Sequence, residues 1–302
     1  MKAIVNVNGT MSDAQRAVVS VFDHGFLYGE GVYETLRTYR QRPFLFDRHL
    51  ERLHASAEML RLAVPLTDAA VGARVDETLR AAGFRGADAG DAPEAYIRIL
   101  LTRGVGDLTY HPDACPTPSI VVIVKELQPT PATLIEQGVG VALVSVLRNH
   151  PGSLNPLIKS NNLLNNALAM QEAIRRGAFE GVMKNYRGEL AECTQSNLFV
   201  VKDGAALTPP LESGLLAGIT RQFLLEIGPE AGIPVREAVL TEADLTGADE
   251  AFLTSTTREV LPIVRVDDRP IGHGRPGPIT KRLLAEFQAR ARAISAPAAA
   301  PR

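Results

Sequence analysis

Two prolines, Pro129 and Pro131, constrain this chain more than any other feature. Each fixes φ and lacks a backbone N–H, so neither a helix interior nor an inner strand can run through Gln128–Thr133. The chain must therefore fold on either side of that break. With 302 residues, each side is long enough to bury a core of its own. We read residues 1–127 as a small N-terminal α/β domain, 128–133 as the linker and 134–302 as a larger C-terminal domain.

Hydrophobic patterning fills both halves with helix and strand. In the first, β-type runs at Ile4–Val7 and Val18–Phe22 precede helical stretches over Arg48–Leu62 and Asp68–Ala82. Strand-like runs at Ala95–Leu101 and Ser119–Val124 follow, the latter β-branched and apolar as in a buried strand. In the second half, strand signals at Val139–Leu147, Gly181–Tyr186, Asn197–Val201 and Glu250–Thr254 alternate with helical patterns over Asn161–Arg176, Thr220–Ile227 and Ile279–Ala293. The fold class is α+β or mixed α/β in two domains, without internal repeats.

Charge narrows the partners. Lys+Arg total 32 and Asp+Glu 34, a formal net charge of −2, which argues against nucleic acid or anionic lipid. No apolar run approaches membrane-spanning length. Cys115 and Cys193 stand far apart, and the six histidines show no ligand spacing, so we expect neither a disulfide framework nor a metal. A cytoplasmic protein fits this usage.

Five segments carry residues that can do chemistry. Lys159 follows Leu157-Ile158 and precedes an amphipathic stretch whose buried face is expected to be Leu163, Leu164, Ala167, Leu168 and Ile174. It reads either as a solvated surface lysine or as an amine kept at a helix start for a reason, since a cation there is disfavoured by about 0.3–1 kcal/mol. Arg52 lies one helical turn from Arg48, and its planar fork suits a phosphate as well as solvent. Gly214–Arg221 runs from a glycine-punctuated turn into a helix, and Thr254-Ser255-Thr256-Thr257 sets four hydroxyls after a strand; each is an anion cradle or plain capping and turn chemistry. Glu192 sits on a strand edge after the Arg187-Gly188 turn, as decoration or as partner to a buried cation.

Taken in order along the chain, these pieces resemble one family, the class IV (fold type IV) aminotransferases that use pyridoxal 5′-phosphate (PLP). The match runs from Asp23-His24-Gly25-Phe26 through Glu34, the Arg52 helix, Ile158-Lys159-Ser160, Glu189–Phe199, Gly218-Ile219-Thr220-Arg221 and Leu253–Pro262. The resemblance implies that Lys159 is the catalytic residue and holds PLP as a Schiff base. It implies that Arg52, Ser255, Thr256 and the backbone N–H groups of Ile219 and Thr220 hold the phosphate, and that Glu192 faces the pyridine nitrogen. A free lysine has a pKa of about 10.4, so a desolvated site is needed to expose the neutral amine. Ping-pong exchange between an amino acid and 2-oxoglutarate or another 2-oxo acid follows from the resemblance, in at least a homodimer.

Three activities share the family scaffold. Tyr96-Ile97-Arg98 resembles the Tyr-x-Arg of branched-chain enzymes, where the pair helps bind the substrate α-carboxylate, and Tyr28, Tyr33, Arg37 and Thr257 complete the implied substrate set. The loop Gly104–His111 lacks the Arg-x-His of D-amino acid enzymes. Leu164 points the other way, standing where branched-chain enzymes carry a tyrosine. Branched-chain L-amino acid transamination is the expectation; D-amino acid transamination and aminodeoxychorismate lyase are the alternatives.

Overall fold

The proline break is where the computed structural model, which describes residues 3–84 and 93–296, divides into two compact units. The first comprises Met1–Gln128 together with Ile158–Asn162 and the chain from Ala291; the second comprises Pro129–Leu157 and Leu163–Arg290. The short piece 158–162 thus departs from the contiguous 134–302 expected from sequence. Its backbone explains why. Tyr33 N donates to Lys159 O at 2.9 Å, Asn161 N donates to Gly31 O at 2.8 Å, and Ile158 packs on the first unit's core.

In the first unit, β1 (Ala3–Val7), β2 (Thr10–Asp13), β3 (Gly31–Tyr39), β4 (Arg42–Pro43), β5 (Ala95–Thr102) and β6 (Ser119–Glu126) form an antiparallel sheet of order β2-β1-β6-β5-β3-β4. A four-residue helix, α1 (His24–Leu27), precedes β3, and α2 (Phe46–Met59) and α3 (Asp68–Ala81) cover one sheet face. Val32 and Leu36 of β3, and Ile97, Ile99 and Leu101 of β5, meet Leu50, Leu53, Val71, Val75 and Leu79 there. Full burial of each such side chain contributes about 1.5–3 kcal/mol. The alternate residues Tyr33, Thr35, Arg37, Tyr96 and Arg98 are half-buried on the opposite face.

The second unit contains α4 (Ala132–Gln137), β7 (Val139–Leu143), α5 (Leu164–Arg175), β8 (Glu180–Lys184), β9 (Leu190–Cys193), β10 (Asn197–Lys202), β11 (Ala205–Thr208), α6 (Ile219–Glu230), β12 (Val235–Glu237), α7 (Glu242–Thr246), β13 (Glu250–Ser255), β14 (Glu259–Val266) and β15 (Arg269–Pro270). The last helix, α8 (Pro278–Ile294), runs on past this unit's end. The strands form a mixed sheet of order β12-β11-β10-β13-β14-β7-β8-β9, with β15 on β14. Phe199 and Phe252 are register partners and stack at 4.7 Å on one face, while Leu198, Val200 and Leu253 enter the core on the other. Burial on both faces is why these strands read as unbroken apolar runs.

Two sequence expectations are corrected here, and two strands absent from the sequence reading are accounted for. Val18–Phe22 is irregular chain with exposed valines rather than a strand. Strand β3 escapes the apolar alternation because an inward position holds Glu34. Strand β14 was hidden by Pro262, which lies one residue before the β7 pairing begins, so on that side its missing N–H breaks no ladder bond. Helix α5 begins only at Leu164, five residues beyond Lys159, and its buried residues are Ala169 and Ala173. These small side chains let the helix approach β7 and β8 closely, and the stripe of Leu164, Leu168 and Ile174 is exposed instead.

Candidate active site

The expected site residues fall into two sets, one in each unit. In the first, Lys159 is held by its backbone, its N donating to Ser56 Oγ of α2 at 3.1 Å and its O accepting from Tyr33 N. Its Nζ lies 4.5 Å from the centroid of the Tyr33 ring, and the Arg98 guanidinium lies 4.0 Å from the same ring. Arg37 and Tyr96 are register partners on the same sheet face. Lys159, Tyr33, Arg37, Tyr96 and Arg98 are therefore brought together by strand alternation and by the pairing of Ser160 with Val32. Burial raises the pKa of the Tyr33 hydroxyl, against the opposing charge of Arg98, so it stays a neutral donor.

Behind Tyr33, on the helix-covered face, Glu34 has no solvent exposure. Its carboxylate accepts from Arg52 Nε and Nη2, both at 2.7 Å, and lies 2.6 Å from His49 Nδ1. Burial alone would push the Glu34 pKa up. The charge of Arg52, with hydrogen bonds from Arg52 and His49, overrides it and holds the carboxyl well below the ordinary range. His49 is shifted down by burial against the pull of Glu34, leaving the imidazole neutral at pH 7. Glu34, His49 and Ser56 were not singled out from sequence; in Glu34 the signal was an acidic residue at an inward strand position.

Tyr28 is not gathered with these residues. Its ring contacts His24 and Tyr110, each at 4.9 Å between centroids. The Asp23-His24 motif that precedes it is architectural. Asp23 caps α1 through Gly25 N and accepts from Thr102 Oγ1, and His24 Nε2 meets Asp107 O at 2.9 Å.

In the second unit, Glu192 lies on β9, the outermost strand of the sheet, and is almost fully buried. Arg148 Nε donates to its Oε1 at 2.7 Å, while Asn197 Nδ2 and Leu216 N donate to Oε2, each at 3.2 Å. Arg148 is fixed in turn by Asn165, whose Oδ1 accepts from Nη1 at 3.0 Å. The expected Glu192 is thus the partner of a buried cation that sequence reading missed. Its only trace is a charge directly after the apolar Val139–Leu147 run.

Asn197 joins Glu192 to both candidate cradles. Its Nδ2 also donates to Leu216 O at 3.0 Å. A Cβ at Gly218 would meet Asn197 Oδ1 at 1.8 Å, so a side chain at that helix start would have to displace the Asn197 amide. Gly218 supplies no side-chain cap, and the first-turn N–H groups of Ile219 and Thr220 lack intrahelical acceptors. Asn197 is the register partner of Thr254, which brings the Thr254–Thr257 turn beside this loop. Thr254 Oγ1 is buried without a hydrogen-bond partner. Ser255, Thr256 and Thr257 are half-buried on the turn between β13 and β14.

Among known proteins, the family described as amino-transferase class IV matches residues 31–266. A putative branched-chain-amino-acid aminotransferase of Methanocaldococcus jannaschii is 40% identical over 284 residues, 94% of this chain and 95% of its own length. A D-alanine aminotransferase of Listeria innocua is 35% identical over 92% of this chain and 93% of its own. Among solved structures, the branched-chain amino acid aminotransferase of Escherichia coli is similar, with a TM-score of 0.88 and 32% identity, covering 96% of this chain and 94% of that one. That of Thermobaculum terrenum, solved in its PLP-containing holo form, has a TM-score of 0.82 at 26% identity, covering 96% and 94%.

Proposed function

The chain belongs to the class IV aminotransferases, with their mixed α/β fold and their dependence on PLP, and on that premise we propose that it transfers the amino group of a branched-chain L-amino acid to 2-oxoglutarate or another 2-oxo acid. The observation that carries the assignment is the shared face on which Lys159, Arg98 and Tyr33 meet, with both cations within 4.5 Å of one buried ring.

The residues present fit the cofactor. An uncapped pair of helix N–H groups at Ile219 and Thr220, in a loop that the Asn197–Thr254 register sets beside the Ser255 and Thr256 hydroxyls, suits a ligand with several acceptor oxygens, which a phosphate is. We assign the phosphate to Arg52, the N–H groups of Ile219 and Thr220, and the hydroxyls of Ser255 and Thr256. Glu34 takes one edge of the Arg52 fork and so sets the direction of the other. When bound, PLP supplies a carbonyl for the substrate amine and a ring that accepts electron density from the substrate Cα. Glu192, paired with Arg148, would face the ring nitrogen and accept its hydrogen bond. Lys159 Nζ would hold the cofactor and, once displaced by the substrate amine, would be free to take up and give back the substrate Cα proton. Arg98 and Tyr96 orient the α-carboxylate, with Tyr28, Tyr33, Arg37 and Thr257 lining the substrate's place.

A second reading, D-amino acid transamination, draws support from Leu164, which is 65% exposed at the start of α5 where a tyrosine would mark a branched-chain enzyme. Both half-reactions, followed by cofactor absorbance with L-leucine and D-alanine, separate the two. We expect L-leucine to react faster, and Arg98→Ala to lose about ten- to a hundredfold in kcat/KM, the worth of a charge-assisted contact. Faster turnover of D-alanine by the wild type overturns the proposed substrate.

We further propose a homodimer in the cytoplasm. Exposed Val18, Val19, Val21, Phe22 and Phe26, and the α5 stripe of Leu164 and Leu168, support burial of apolar surface by self-association. Among the described residues no helix is long and apolar enough to cross a membrane, and both cysteines are buried thiols. Sedimentation at working concentration is expected to show a dimer or larger species; a fully active monomer contradicts it.

A further inference from the structure

Arg221 is the largest fully buried side chain among the described residues, and the functions assigned above leave it idle. It is the third residue of α6, within the positive end of the helix dipole. Burial and the dipole both disfavour a cation there. The structure offsets that cost with three acceptors. Arg221 Nε donates to Thr208 Oγ1 at 3.2 Å, and Nη2 donates to Pro209 O at 2.7 Å and to Glu237 Oε1 at 2.5 Å. Thr208 and Glu237 are register partners on β11 and β12, so one planar fork gathers oxygens presented by two adjacent strand ends. Thr208 Oγ1 in turn donates to Leu198 O of β10 at 2.8 Å, one residue from Asn197.

We propose that Arg221 is a positioning residue for the cofactor phosphate: it anchors the first turn of α6 so that the N–H groups of Ile219 and Thr220 are aimed before the phosphate arrives. A helix start is ordinarily fixed by a capping side chain. Here the cap is Gly218, where a Cβ would displace the Asn197 amide, and a glycine has no side chain with which to hold the turn. Arg221 takes over that task from inside the helix, with Asn197 holding the loop on the other side through Leu216 O. The inference rests on the assignment of Ile219 and Thr220 to the phosphate.

The test is to titrate the full-length apoenzyme with pyridoxamine 5′-phosphate and, separately, with pyridoxamine, which lacks the phosphate. Arg221→Lys keeps the charge but loses the fork. It should weaken pyridoxamine 5′-phosphate about tenfold, the scale of loss when a ligand-positioning geometry is relaxed, and leave pyridoxamine unchanged. Glu237→Gln removes the outermost anchor and should cause a smaller loss with the same selectivity. Ile219→Pro checks the underlying assignment. It deletes one cradle N–H at a position where proline suits the helix, after a residue already extended at ψ 131. If Ile219→Pro leaves the preference for the phosphorylated ligand intact, the cradle assignment fails and this inference with it. If Ile219→Pro lowers that preference but Arg221→Lys and Glu237→Gln weaken both ligands equally or neither, Arg221 only fills space and the inference alone is overturned.

Discussion

Two buried carboxylate–arginine pairs, one in each unit, have the same length and, on the proposed assignment, opposite tasks. Glu34–Arg52 and Glu192–Arg148 both close at 2.7 Å with little exposure on either partner. Glu34 stands between Val32 and Leu36 on a strand face packed by helices, and Arg52 and His49 engage its carboxylate. Glu192 stands on an outermost strand, where Arg148, Asn197 and Leu216 engage its carboxylate and Asn165 in turn holds Arg148. On the proposed assignment Arg52 is the working member of the first pair and Glu192 of the second, although in both pairs the carboxylate is the more deeply buried partner. Neither salt-bridge geometry nor burial alone says which side does chemistry.

The largest expected effect falls on the first pair. Glu34→Gln leaves a buried guanidinium without its counter-charge and should cost about 3–5 kcal/mol of stability, read as a lower denaturation midpoint. Glu192→Gln likewise strips a buried guanidinium, Arg148, of its counter-charge and should also lower the midpoint, and should in addition lower kcat by about 10²- to 10³-fold, the usual effect of deleting one electrostatic partner of a reacting centre. A Glu34→Gln variant with an unmoved midpoint, or a Glu192→Gln variant with unaltered kcat, would break the comparison.

A smaller effect is expected with pH. Both His49 and Glu34 have pKa values depressed in the fold, from ordinary values of 6.5 and 4.5. The unfolded chain therefore binds more protons on acidification, so their contribution to stability is complete above about pH 6.5 and shrinks as pH falls through that value and then through 4.5. Hydrogen exchange should show α2, which carries His49 and Arg52, losing protection between pH 7.5 and 5. Protection in α2 that is flat across this window would contradict the coupling. The smallest change is Arg148→Lys, which keeps the charge beside Glu192 but loses the fork to Asn165; roughly tenfold in kcat is expected, with the midpoint unmoved.

What sequence could reveal here follows the range of the interactions. Lys159, Glu192 and the two cradles stand in local patterns, a lysine before a helix or hydroxyls after a strand, and each was visible as a candidate with an alternative beside it. Arg148 and Glu192 are 44 residues apart, and Arg52 and Glu34 are 18 apart. No local pattern encodes such pairings; strand order and register do. The α5 stripe misled for a related reason. Leu164, Leu168 and Ile174 have the period of a buried face, but the close approach to β7 and β8 is made by Ala169 and Ala173. Pattern reports which residues avoid water, not which neighbour covers them.

The central claim is that Lys159 is the amine that carries the cofactor. The chain has six lysines, and Lys125 is a built-in rival, its Nζ 5.0 Å from the Tyr96 ring on the same sheet face. Borohydride reduction of the holoenzyme followed by peptide mapping should find the phosphopyridoxyl group on Lys159 and none in a Lys159→Ala variant. A label on Lys125 or any other lysine of the wild type, or a label that persists in Lys159→Ala at the wild-type level, would contradict it.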